Sequence, residues 1–140
     1  MNRVAMLDLR ARAALAAADE SRPHLHRERF MRIALDCARS MERQRVGWAS
    51  AMAVMLRAGV HQCRGRNDLA LGLFDRAHDE FLALDMHLMA AVAQRRHGEL
   101  TGGDAGHAEI NESDVWMNSQ AIRDPAALAR MFAPCTVGLT

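Results

Sequence analysis

Apolar residues recur three and four positions apart along nearly the whole chain, the spacing that places them on one face of an α-helix. From about Arg3 to Ala18 the stripe is Val4, Leu7, Ala11, Ala14 and Leu15, with Arg3, Arg10 and Arg12 on other faces. Ser21 and Pro23 break it and suit a cap and a first turn. A second helix is predicted from about His24 to Gln44, with Phe30, Ile33, Ala34, Cys37, Ala38 and Met41 in line. A third, from about Trp48 to Gln62, carries Trp48, Ala51, Met52, Met55 and Leu56 and is apolar nearly all round, which predicts a central position. Gly65 stops it, and Asn67 or Asp68 is placed to cap a fourth helix whose face reads Ala70, Leu73, Phe74, Ala77, Phe81 and Leu84. After a tight turn near Asp85, the fifth carries Leu88, Met89, Val92, Ala93, Arg96 and Leu100 and ends at Gly102-Gly103. Asp104 is placed to cap a sixth, anchored by Ile110, Val115, Trp116 and Ile122. Asp124-Pro125 starts a short seventh, which ends near Phe132 because Pro134 cannot continue it.

A shift of about 39 residues brings similar features together, Gly59 onto Gly98 and Ala51 onto Ala90, as expected of stacked helix pairs. The expected fold class is all-α: antiparallel helix pairs at 3–44, 46–84 and 87–120, stacked as a short α-α solenoid and closed by a C-terminal capping helix at 125–132. One domain spans 1–134, and 135–140 reads as a loose tail.

Composition agrees. Half of the 140 residues are apolar, and Ala, Leu, Met, Arg and Glu, which enter helices at little cost, outnumber the β-branched residues a sheet would use. All 18 basic residues are Arg. Without Lys, a P-loop, a protein kinase or a Schiff-base enzyme cannot operate by its usual route. A net charge of +1 argues against a nucleic-acid partner. The longest apolar run, 48–56, is too short to span a membrane, and the charged start is unlike a signal peptide. Three widely spaced cysteines, Cys37, Cys63 and Cys135, argue against a disulfide framework and for a cytoplasmic setting, with Cys37 and Cys63 packed and Cys135 exposed.

The chemistry-bearing residues do not form a catalytic set. Asp75-x-x-His78 places a carboxylate and an imidazole on one helix face, the spacing of a helical-bundle metal protein, but Phe74, Ala77 and Phe81 already define the core side of that helix. His61-x-Cys63 and His24-x-His26 diverge on a helix. Arg95-Arg96 can clamp a partner's carboxylate or phosphate, or serve as cations near a helix C-terminus. Trp48 and Trp116 are either partner anchors or core wedges. A groove formed by the first helix of each pair would present Arg45, Arg57, His61, Gln94, Arg95, Arg96 and His97 to a segment of another protein. Self-association through exposed Met residues is the other expectation. No enzyme activity, cofactor or metal is expected.

Two stretches carry a family resemblance. Ala77-x-x-x-Phe81, preceded by Trp48, is similar to the small-then-large packing element of tetratricopeptide (TPR) repeats, although Ala51-Met52 stands where that repeat has Leu-Gly. From Met89 the chain runs through Gly98-Glu99-Leu100, Gly102-Gly103, Trp116-Met117 and Ala121-Ile122-Arg123-Asp124-Pro125 to Pro134. This resembles the TPR-like helical region that follows the catalytic domain in large bacterial serine/threonine protein kinases and related signalling regulators, with Ala121 in place of a Gly. No Gly-rich loop or His-Arg-Asp catalytic loop accompanies it. The resemblance implies a TPR-like scaffold for protein–protein interaction in bacterial signalling, a stand-alone or detached version of such a region.

Overall fold

The structure, a computed structural model, describes residues 2–20 and 24–135. The described residues form seven α-helices and no strand: α1 (Arg3–Glu20), α2 (His24–Glu42), α3 (Gly47–Cys63), α4 (Asn67–Ala83), α5 (His87–Thr101), α6 (Gly103–Ser119) and α7 (Pro125–Phe132). The fold is all-α, and each helix from α1 to α6 packs against its neighbours in the chain as in a helical repeat. α3 and α5 begin forty residues apart, close to the shift read from the sequence. No helix is long and apolar enough to cross a membrane.

Helix ends follow from a turn used three times. Arg66 N donates to His61 O and Gly65 N to Gln62 O; the same pairs join Met86 to Phe81 and Asp85 to Leu82, and Ile122 to Met117 and Ala121 to Asn118. This six-to-one and five-to-two pattern requires a left-handed residue at its centre. Gly65 takes it without steric cost at φ +72°, whereas Asp85 (+57°) and Ala121 (+63°) do so with a side chain. The side-chain caps expected of Asn67, Asp68 and Asp104 do not form. α4 is entered through Arg66 and α6 through Gly102, neither with a side-chain cap. Only at α7 does the expected cap form, Asp124 accepting from Ala127 N at 2.9 Å ahead of Pro125. The roles expected of Ser21 and Pro23 lie outside the described residues.

The core is continuous. α3 is buried on nearly every side, as its all-round apolar character predicts, and Phe74, Ala77 and Phe81 of α4 pack against it with full burial. Two packing expectations are corrected. Val115 points outward, because in α6 Gly106, Ser113 and Met117 form the buried line, and Leu84 is exposed. α6 lies unusually close to α5: a methyl at Gly98 would stand 2.7 Å from Gly106 O, and one at Gly106 would collide with Gly98 O. The two glycines make this approach possible.

Candidate interaction face

Asp124 and Pro125 start α7, the unwinding at Ala133 releases an extended Ala133-Pro134-Cys135, and all three of these residues are buried. This segment, 125–135, turns back over the first helix of every pair and is held by each of them. From α1, Arg12 Nη1 donates to Met131 O at 3.1 Å while its guanidinium stacks 5.0 Å from the Phe132 ring centre. From α3, Gly59 lies against Pro134 O, and Cys63 is disulfide-bonded to Cys135 with Cα atoms 6.0 Å apart. From α5, Arg96 Nε donates to Ala133 O at 2.8 Å and Nη2 to Ala133 O and to Cys135 O, the latter at 3.1 Å. Helices α1, α3 and α5 thus share one face, and α7 with the three non-helical residues after it lies on it like a strap.

Arg96 is the largest fully buried side chain of the chain, 1% exposed. Its remaining donor goes to Glu99 Oε2 at 2.6 Å, so the buried charge is both paired and hydrogen-bonded. A fork of donors aimed at two carbonyls of one strand is a main-chain-reading device, indifferent to the side chains of the segment it holds. Arg12 is oriented for the same task by Asp8, at 2.9 Å. Burial pushes the Asp8 carboxyl above its ordinary value, and Arg12 opposes that rise.

The structure corrects the cysteine expectation. Cys63 and Cys135 are joined, and Cys135 is 1% exposed where a loose tail was expected from 135 onward. Their sequence separation of 72 residues is why spacing gave no sign of the pair. Positions 136–140 of the expected tail lie outside the described residues. Cys37 is free and buried, and burial raises its thiol above the usual range.

The residues expected to line a groove are not brought together. Arg96 faces the strap and is closed off from solvent. Arg95 instead bridges Asp114 at 2.8 Å and Glu99, Gln94 donates to Glu112 at 3.0 Å, and His97 meets Glu109 at 2.6 Å, all tying α5 to α6 or to itself. Arg57 forms a two-point pair with Glu42 of α2, at 2.9 and 2.8 Å, which lowers the Glu42 carboxyl and raises the guanidinium. His61 stays on α3 with a buried Nδ1 that meets no partner, and burial, followed by Arg66, Arg64 and Arg57, lowers its pKa. Arg45 is exposed in the α2–α3 turn at φ +53°. The signal for Arg96 was present: an arginine in register with Met89, Val92 and Ala93 on an apolar stripe has to find buried acceptors.

A second depression, about 380 Å³, lies between α4, α5 and α6, lined by His78, Leu82, His87, Gln94, Glu112 and Trp116. Trp116 is half-buried there, 6.4 Å from the His87 ring, so it is both core edge and groove wall. Asp75 and His78, the residues of the metal alternative, are not gathered: Asp75 is exposed, His78 Nδ1 meets Asp79 Oδ1 at 3.2 Å, and among the described residues neither belongs to a ligand cluster. Among the described residues the one group with metal-ligand spacing is Asp19, Cys63 and Cys135, whose donor atoms lie within 4.8 Å of one another.

No family model, characterised protein or solved structure matches the chain.

Proposed function

We propose that this chain is a non-catalytic, TPR-like helical scaffold that binds a segment of another protein on the face of α1, α3 and α5. The observation that carries the reading is the strap: this face already holds a short helix and the non-helical residues after it, with arginines directed at their backbone carbonyls. A surface that holds its own segment mainly by backbone contacts is chemically suited to another segment of similar shape. The bacterial signalling role and the association with serine/threonine kinases rest on the resemblance of 89–134, and so does the cytoplasmic setting, because the Cys63–Cys135 bond removes the cysteine argument for it. Exchange of the strap between two copies is a second reading, favoured by its position at the chain's end behind the short link 120–124.

The test alters the strap and leaves the face intact. Leu128→Asp with Phe132→Asp places charge on the strap's packed side and releases it. The released chain is expected to take up a labelled wild-type peptide of residues 125–135 in a saturable fluorescence-anisotropy titration, and to lose that uptake when Arg96→Met is added. A folded, strap-released chain that takes up no peptide at about 1 mM, the range of effective concentration of a tethered segment, refutes the reading. Light scattering on the parent chain decides strap exchange: a strict monomer at high concentration removes it.

A further inference from the structure

We propose that Cys63–Cys135 is a thiol–disulfide exchange site, approached by an anionic low-molecular-weight thiol through a basic pocket, and that its reduction unlatches the strap from the face it covers. The inference rests on the reading of that face as a peptide-binding surface.

Three observations converge. First, the disulfide joins the last described residue of the strap to α3, so it latches the end of the segment that occupies the face. Cys135 is held at φ +102°, a conformation that an L residue keeps only under constraint. Second, Cys63 lines an open pocket of about 590 Å³, whereas Cys135 is not among its walls. Of the two cysteines Cys63, 4% exposed, is thus the one that borders the pocket, and attack is directed to its sulfur. Third, the other walls include His24, Arg27, Arg64 and Arg66 against a single carboxylate, Glu28, which is already paired with Arg64 at 3.1 Å. Arg66 is exposed and takes part in no ion pair among the described residues, so positive charge is left for a ligand. Such a pocket concentrates an anionic thiol, and the Asp19 carboxylate, within 4.8 Å of both sulfurs, is the negative charge among the described residues that opposes it at the bond. The remaining cysteine, Cys37, is buried beside a separate, smaller pocket between α1 and α2 and does not face this one.

The chemistry balances with two equivalents of thiol. A thiolate RS⁻ attacks Cys63 Sγ; the R–S–Sγ bond forms as the Cys63–Cys135 bond breaks, and the electron pair leaves on Cys135 Sγ, which takes a proton from water. A second RS⁻ attacks the sulfur of R, forming RSSR and releasing Cys63 as a thiolate. Two thiols are oxidised to one disulfide, and the protein's cystine is reduced to two thiols. The strap then keeps only its hydrogen bonds and apolar contacts, and its tether shifts from Cys63 back to the link at 120–124.

The full-length chain purified without reductant is expected to show one reactive thiol per unfolded molecule, Cys37, and three after reduction. Reduction by glutathione should raise amide hydrogen exchange across 125–135 by at least about tenfold while α3 and α4 keep their protection. Cys135→Ser should show the raised exchange without reductant. Arg27→Gln with Arg66→Gln should slow reduction by glutathione about fivefold but leave the rate with neutral 2-mercaptoethanol unchanged, as expected of electrostatic steering. Three thiols before reduction, unchanged exchange at 125–135 after it, equal slowing with both reductants, or a zinc ion retained stoichiometrically by Asp19 and the two thiolates with the strap still docked would each overturn the proposal. If reduction frees the strap while the released face binds no peptide, the exchange site stands and the binding function falls.

Discussion

Replacing Arg96 by Met keeps much of the side-chain volume and removes every polar contact that ties α5 to the strap. Ala133 O and Cys135 O lose their charged donor while remaining buried. Hydrogen bonds to a charged group contribute about 1.5–3 kcal/mol, and breaking a buried ionic network by removing one member costs about 3–5 kcal/mol. The lower part of that range applies, because Glu99 keeps Arg95 and is not left unpaired. About 3 kcal/mol is therefore expected. The loss has a ceiling: once the strap leaves, its carbonyls are hydrated and no further penalty accrues, so the cost cannot exceed the free energy with which the strap docks. Urea denaturation of Arg96→Met and Arg95→Met, with hydrogen exchange of 125–135, reads both quantities. Arg95→Met removes the pairing with Asp114 and Glu99 at the edge of the α5–α6 contact; it should cost about 1 kcal/mol and leave the strap protected. Because Arg96→Met and Cys135→Ser weaken the same docked segment, their effects on its protection should be less than additive. If Arg96→Met stays within about 0.5 kcal/mol of the parent with unchanged exchange at 125–135, the strap is not held by this arginine and the argument fails.

Gly106→Ala places a methyl against the Gly98 carbonyl, where rigid backbone cannot yield, and should cost about 3 kcal/mol in a urea melt. Ala121→Gly relieves a left-handed alanine in the α6–α7 turn and should stabilise the chain by about 1 kcal/mol, with a smaller gain for Asp85→Gly because Asp tolerates that region better; a loss of stability at Ala121 would refute the strain. His61 has a folded-state pKa below 6.5, so the unfolded chain binds its proton more readily. Its contribution to stability is present in full above pH 6.5 and is lost as pH falls through the lowered value. Urea midpoints measured between pH 5 and 8 should therefore fall on the acid side, and His61→Gln should flatten that fall.

The helices and their order were legible in the sequence because each depends on local terms: apolar spacing, helix-favouring composition, and the punctuation at Gly65, Gly102-Gly103 and Asp124-Pro125. The central place of α3 followed from its all-round apolar surface for the same reason. Caps were misread at α4 and α6 because α4 is entered directly from the turn around Gly65 and α6 from Gly102 at φ +66°, which puts Asn67, Asp68 and Asp104 inside the helices rather than ahead of them. The return of 125–135 over the face of α1, α3 and α5 was decided by tertiary structure alone. It depends on contacts across the chain, Arg96 with Ala133 and Cys63 with Cys135, and no local preference specifies which distant carbonyl a buried guanidinium meets or which cysteine lies opposite another. Periodicity determines which side of a helix turns inward; what fills the space facing that side is settled only when all the helices have packed.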